Sequence, residues 1–191
     1  AQVGVIDYLK SQTFDLSTEI KGIDLAEILD QSQAPVKVEG LLFASLKAKG
    51  QGADLNSISG DGSFEVKEAK LKDLNVLKMV LDKILFIPNL QARLEAKLPE
   101  NYKAKLDDKD TQINKVSGTF VLSNGNIVLD PIAVEADEFV LSGTSQASFD
   151  LAYSLDGAFK ITNELSTIMG QSTEELQYLY DSESNISLPV H

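Results

Sequence analysis

The side chains with which this chain could do chemistry are few in type. His191 is its single histidine and cysteine is absent, so neither a Ser-His nor a Cys-His pair, nor an imidazole or thiolate metal set, can be assembled within it. Hydroxyls are plentiful, and Gly143-Thr144-Ser145-Gln146-Ala147 has the small flanking residues of a nucleophile elbow. An elbow needs a sharp turn and a base; this segment lies inside a regular apolar/polar alternation and has no base. Asp107, Asp108 and Asp110 fall near the spacing of a calcium loop, but glycine is missing at the sixth loop position and glutamate at the twelfth. Gly50-Gln51-Gly52 and Gly60-Asp61-Gly62 lack the third glycine of a dinucleotide loop. The sequence therefore predicts no catalytic residue, no metal ligand and no cofactor, and the chain reads as a non-enzyme.

Bulk properties narrow the partners. Of 191 residues, 43% are hydrophobic and 24% charged, the balance of a chain that buries a core. The formal charge is -12, from 17 Lys and Arg against 29 Asp and Glu. Such a surface repels phosphate backbones, and with no Lys/Arg run to offset it nucleic acid is excluded as a partner. No window reaches the roughly 20 apolar residues that cross a bilayer as a helix, and AQVGVIDYLK lacks the basic and apolar regions of a signal peptide. The chain opens without Met and ends in the extended apolar stretch Ser187-Leu188-Pro189-Val190-His191. It is expected to be a segment of a longer polypeptide, forming one β-rich unit over residues 1–191.

With no chemistry to position, the elements must serve to present apolar surface. In PVKVEGLLFASLKAKG, residues 35–50, Val36, Val38, Leu42, Ala44, Leu46 and Ala48 share one face of a long strand, while Leu41 and Phe43 make the other face mixed. From Phe139 to Ile161 the odd-numbered positions are apolar apart from Gly143, Ser145 and Gly157, and the even ones mostly polar, with a turn expected near Ala152 to Ser154. Two stretches share a pattern: Gly62-Ser63-Phe64-Glu65-Val66 and Gly118-Thr119-Phe120-Val121-Leu122. We read them as two hairpins in matching register. Asn124-Gly125 closes the second as a type I′ turn, which sets Ser123 opposite Asn126 and Leu122 opposite Ile127; Glu68-Ala69 turns the first.

Helical periods intervene. Leu74, Leu77, Leu81, Ile84 and Leu85 form a 3.6-residue stripe capped by Asp73 or Asn75, a second helix is expected over Asp24–Leu29, and NLQARLEAKL lies between Pro88 and Pro99. Ser172-Thr173-Glu174-Glu175 has the spacing of a capping box before LQYLY. The expected fold is α+β and mainly antiparallel: a long sheet of about nine strands with hairpin repeats, several short flanking helices, and a helical insertion at about 74–106 between the two repeats.

On this register Phe64, Val66, Leu71, Phe120, Leu122, Ile127, Phe139, Leu141, Phe149 and Leu151 point inward. Two readings of that face stay open. It is either filled core, or in part an elongated groove that takes an acyl chain or a partner. Periodicity does not separate them.

The order of motifs resembles the C-terminal region of the AsmA-like family, bacterial envelope proteins related to the bridge-like lipid-transfer proteins. The residues that carry the likeness are GDGSFEVKEAKLKDLNVLKMVL (60–81), the connector with Leu98-Pro99 and Tyr102, and VSGTFVLSNGNIVLDPIAVEADEFVLSGTSQASFDL (116–151), preceded by FDLSTEIKGIDLAEILD and VEGLLFASLKAKGQG and followed by ISLPV. The resemblance implies a periplasmic protein, anchored to the inner membrane by a segment outside this chain. It further implies a sheet curved into a groove for phospholipid or other acyl chains in outer-membrane biogenesis, other envelope proteins as partners, and no catalytic residues. The alternative from a different class is a structural or assembly module with a fully packed sheet. Where the family has a glycine in the first hairpin, this chain has Glu68-Ala69.

Overall fold

A computed structural model of the protein describes residues 2–6, 13–29, 37–84, 90–148 and 152–191. Nine strands form one sheet in chain order: β1 Gln2–Ile6, β2 Thr13–Asp24, β3 Lys37–Gln51, β4 Ser59–Lys72, β5 Thr111–Ser123, β6 Asn126–Glu135, β7 Phe139–Ser148, β8 Tyr153–Ile161 and β9 Ser187–Val190. Each is antiparallel to its predecessor. A meander reverses at every strand, so successive connections alternate between two ends of the sheet. Helices α1 Leu25–Leu29, α2 Val76–Ile84, α3 Leu90–Lys97, α4 Glu100–Asp107 and α5 Asn163–Ser172 all lie in connections at the same end. The other end carries the loop between β3 and β4, the Asn124-Gly125 turn and the link between β7 and β8.

Local chemistry explains the elements. Asn124 and Gly125 take φ of 49° and 72°, the left-handed pair a type I′ turn requires, and Ser123 pairs with Asn126 and Leu122 with Ile127 as expected. Tyr153 and Ser154, expected in the turn, already belong to β8, and Ser148 N–H bonds Ala152 C=O at 2.8 Å. Helix α2 is capped by Asn75, whose side chain accepts from Lys78 N–H at 2.8 Å and donates to the carbonyls of Lys105 and Asp108, each at 2.8 Å. One amide thus caps α2 and ties it to the end of α4. Leu77, Leu81 and Ile84 of α2 are buried at the spacing that puts them on one helix face.

Two expectations are corrected. Glu68-Ala69 is not a hairpin turn; β4 runs unbroken from Ser59 to Lys72, and Glu68, at φ 52°, forms a bulge that shifts the register against β3 between Glu39 and Leu41. Nor is Ser172-Thr173-Glu174-Glu175 a capping box. Ser172 is the last residue of α5, its hydroxyl donating back to Ile168 C=O at 2.8 Å, and Glu174–Leu179 is a short 3-10 segment whose N-cap, Thr173, makes no side-chain cap bond. Helix α5 itself was not anticipated.

The core sits at the helical end. Leu77, Leu81, Ile84, Leu94, Leu98 and Tyr102 from α2–α4, with Leu165, Met169 and Leu176 beyond β8, pack on Phe139, Phe159 and Ile161 of the sheet. Phe139 stacks on Phe159 with ring centres 4.7 Å apart. A smaller cluster of Val66, Ala69 and Ile113, with Leu42, Leu71 and Val116 against it, continues this core across β3–β5.

Candidate functional site: the two faces of the sheet

Partners in an antiparallel register project to the same side, so the pairings define two faces. One is apolar. Ile20, Ala44 and Phe64 lie in one row across β2–β4, and Leu122 and Ile127 lie opposite each other. Val134, Leu141 and Phe159 form another row across β6–β8. The bulge at Glu68 reverses the parity of β4, which is why even-numbered Val66 and odd-numbered Leu71 pack in one cluster. A bulge here does what the expected turn would have done to the side-chain faces.

The repeated Gly-Ser/Thr-Phe motif has a packing cause. β4 and β5 run antiparallel, so the glycine of each motif faces the phenylalanine of the other: Gly62 pairs with Phe120 and Phe64 with Gly118. The Phe64 ring lies 2.8 Å from where a Gly118 Cβ would be, and the Phe120 ring occupies the corresponding place at Gly62. Phe14 and Gly50, partners on β2 and β3, repeat the arrangement. Large rings laid across glycine backbone keep this part of the face shallow and smooth.

Helices cover the apolar face unevenly. Phe139 is 2% exposed and Val66 7%; these two expected groove residues are core. Leu141 is half-buried against the main cluster and Leu71 against the smaller one. Phe64, Phe120, Leu122 and Ile127 are half-buried and belong to neither cluster. Phe149 and Leu151 lie outside the described residues. Leu46 and Leu155, which share the face with the uncovered group, are not among the expected groove residues, although the alternation that revealed their neighbours contains them too.

The opposite face carries hydroxyls and charges, and a cavity of about 560 Å³ opens on it. Two rows floor it: Lys21, Phe43, Glu65, Ser117 and Ala133, and beside them Glu19, Ser45, Ser63 and Thr119, with Ile20, Ala44, Phe64 and Gly118 of the intervening row and Pro131 completing its lining. In the sequence, Phe43 and Ser45 fall on a face that reads as mixed, and no site is expected at these positions. The signal available was the recurrence of small hydroxyl residues at matching places in β3, β4 and β5.

Ionisable groups at the helical end serve as staples. Lys105 of α4 lies 2.8 Å from the Glu138 carboxylate, which is 5% exposed, and this bond raises the Lys105 pKa. Burial first, then a hydrogen bond to Glu164, pushes Tyr102 up to about 12. Lys70 and Asp110 pair at 2.9 Å, raising the lysine and lowering the carboxylate. Lys160 does the same for Asp181 at 2.8 Å, holding it down at about 2 with help from the N–H groups of Asn185 and Glu183.

Ser145 donates to Ser154 C=O at 2.9 Å within the sheet, whereas His191 and Asp156, 2.8 Å apart, are 75% and 73% exposed. Asp156 pairs with Thr144 while Ser145 pairs with Leu155, which puts the carboxylate and the Ser145 hydroxyl on opposite faces, so they form no triad. Among the described residues no three His, Cys, Asp or Glu side chains converge to hold a metal, and no described helix is long and apolar enough to cross a membrane. No family model, curated protein or solved structure matches the chain.

Proposed function

We propose that the uncovered part of the apolar face receives acyl chains, and that the chain is a non-enzymatic, lipid-binding segment of an AsmA-like envelope protein. Its place is then the periplasm, with an inner-membrane anchor in a part of the protein beyond this segment. The observation that carries the reading is the continuation of the apolar face past its helical cover: Phe64, Phe120, Leu122 and Ile127 extend the surface that the helices bury at Phe139 and Val66 but join no packed cluster. An acyl chain laid there removes its methylenes from water at roughly 0.8 kcal/mol each. The helices close the face at one end, and the flattened rings leave it without obstruction toward the other. Head groups stay in water, so selectivity among phospholipids is low.

A packed structural module is the competing reading, favoured by the burial of Phe139 and Val66. Native mass spectrometry of the gently purified protein, followed by lipid extraction, tests the proposal. Co-purified phospholipid at about one or more per chain is expected; absence of lipid together with no uptake of a fluorescent fatty acid overturns it.

A further inference from the structure

The cavity on the polar face is a second site, although the row Ile20, Ala44, Phe64 and Gly118 also contributes to its lining. It crosses strands β2 to β6 rather than following them, a span of roughly 19 Å at about 4.8 Å per strand. Its volume of about 560 Å³ lies within the roughly 300–1,000 Å³ of small-ligand sites. A trough transverse to the strands suits an extended oligomer.

Its chemistry selects the oligomer. In a chain of net charge -12, the trough is locally neutral: Glu19 pairs with Lys21 at 3.1 Å and Glu65 with Lys67 at 3.4 Å. A charged ligand finds no uncompensated partner there. Each carboxylate keeps free lone pairs to accept hydroxyl protons. Ser45 and Ser63 bond each other at 3.0 Å, and the Thr119 hydroxyl donates to Asp130 C=O, which leaves its lone pairs free to accept. Phe43 supplies an apolar surface among these groups; Lys67 lies 5.2 Å over its ring, while Gly22 sets no side chain against the ring tip. An apolar ring flanked by neutralised carboxylates and a hydroxyl floor matches a molecule with C–H faces and hydroxyl edges.

We infer that this trough binds a neutral oligosaccharide chain. The test is an amide-shift NMR titration of the 191-residue chain with maltohexaose, cellohexaose and the N-acetylglucosamine hexamer, beside the hexamers of galacturonate and glucosamine and acidic and basic hexapeptides. At least one neutral hexamer is expected to move the amides of Phe43, Ser63 and Ser117 and to bind at least about tenfold more tightly than any charged probe. Phe43→Ala weakens that binding about tenfold or more. Ser63→Arg, a filler at an exposed floor position, abolishes it while leaving the amides of the helical end unchanged. The inference is overturned if no neutral hexamer moves the trough amides at millimolar concentration, if a charged probe binds there equally well, or if Ser63→Arg binds as the parent does.

Discussion

Phe64 and Gly118 face each other across β4 and β5, and the Phe64 ring fills the place of the side chain that Gly118 lacks, with Cε1 2.8 Å from the missing Cβ. Next along the ladder Phe120 does the same for Gly62. The two glycines differ in what else confines them. A Cβ at Gly62 runs hard into the carbonyl oxygen of Ser45, whereas at Gly118 the Phe64 ring comes nearest and the Pro131 carbonyl oxygen stands off at 3.0 Å. Gly118→Ala is therefore expected to be relieved by Phe64→Leu, with a coupling of about 1 kcal/mol in urea unfolding, while Gly62→Ala is not relieved by Phe120→Leu. Equal coupling at both pairs would contradict this account.

Glu68 holds φ 52° in the β4 bulge, a conformation that costs a residue with a Cβ about 1–2 kcal/mol. Glu68→Gly is expected to stabilise the protein by about 0.5–1 kcal/mol, since the relief outweighs the chain entropy glycine adds. Glu68→Val destabilises it by more than about 1 kcal/mol. Denaturant midpoints check both.

Positions on the apolar face separate by their cover. Phe139, buried and stacked on Phe159, is expected to cost about 3–5 kcal/mol when changed to alanine. Leu122→Asp, at a half-buried position outside the packed clusters, leaves a folded protein that carries less than about half the parent's lipid. Undiminished lipid on folded Leu122→Asp, by native mass spectrometry, excludes this part of the face as the binding surface.

Asp181 gives a pH signature. Its folded pKa is lowered to about 2 from an ordinary 3.8 by Lys160 and two backbone N–H groups. A depressed carboxylate contributes stability that is complete above its unfolded value and disappears as pH falls through the folded one. The melting temperature of the parent is expected to exceed that of Asp181→Asn at neutral pH, with the gap closing between about pH 4 and pH 2. A gap as large at pH 2 as at neutral pH assigns the difference to something other than this charge.

The sequence made the strands legible where burial enforces alternation and the Asn124-Gly125 turn legible because its backbone demands those residues. Glu68 was misread because a bulge and a turn shift side-chain parity alike, and nothing in the residue types of β4 distinguishes them. Helix α5 escaped notice because its buried side is built from Leu165, Ser166, Met169, Gly170 and Ser172. Only two of these are large and apolar, since the Ser166 hydroxyl is occupied donating to Ile161 C=O and accepting from Ile186 N–H, and Gly170 makes room for Tyr180. The polar trough depends on five strands lying side by side, a relationship that no local window contains. The uncovered apolar residues were legible as inward-facing, but which of them the helices cover depends on how connections distant in the chain fold back.

The meander has a temporal consequence. Every strand bonds only to its neighbours in the chain, so each ladder can close as soon as the next strand has been synthesised. The helical cover cannot. Lys97 of α3 reaches Gln171 C=O at the end of α5, 74 residues later, at 2.7 Å. The cluster around Val66 draws only on residues up to Val134 and can close early, but the core around Phe139 lacks Leu165 and Met169 until α5 is made, and the closing of α5 against α3 is the step at which a nascent surface becomes a finished one.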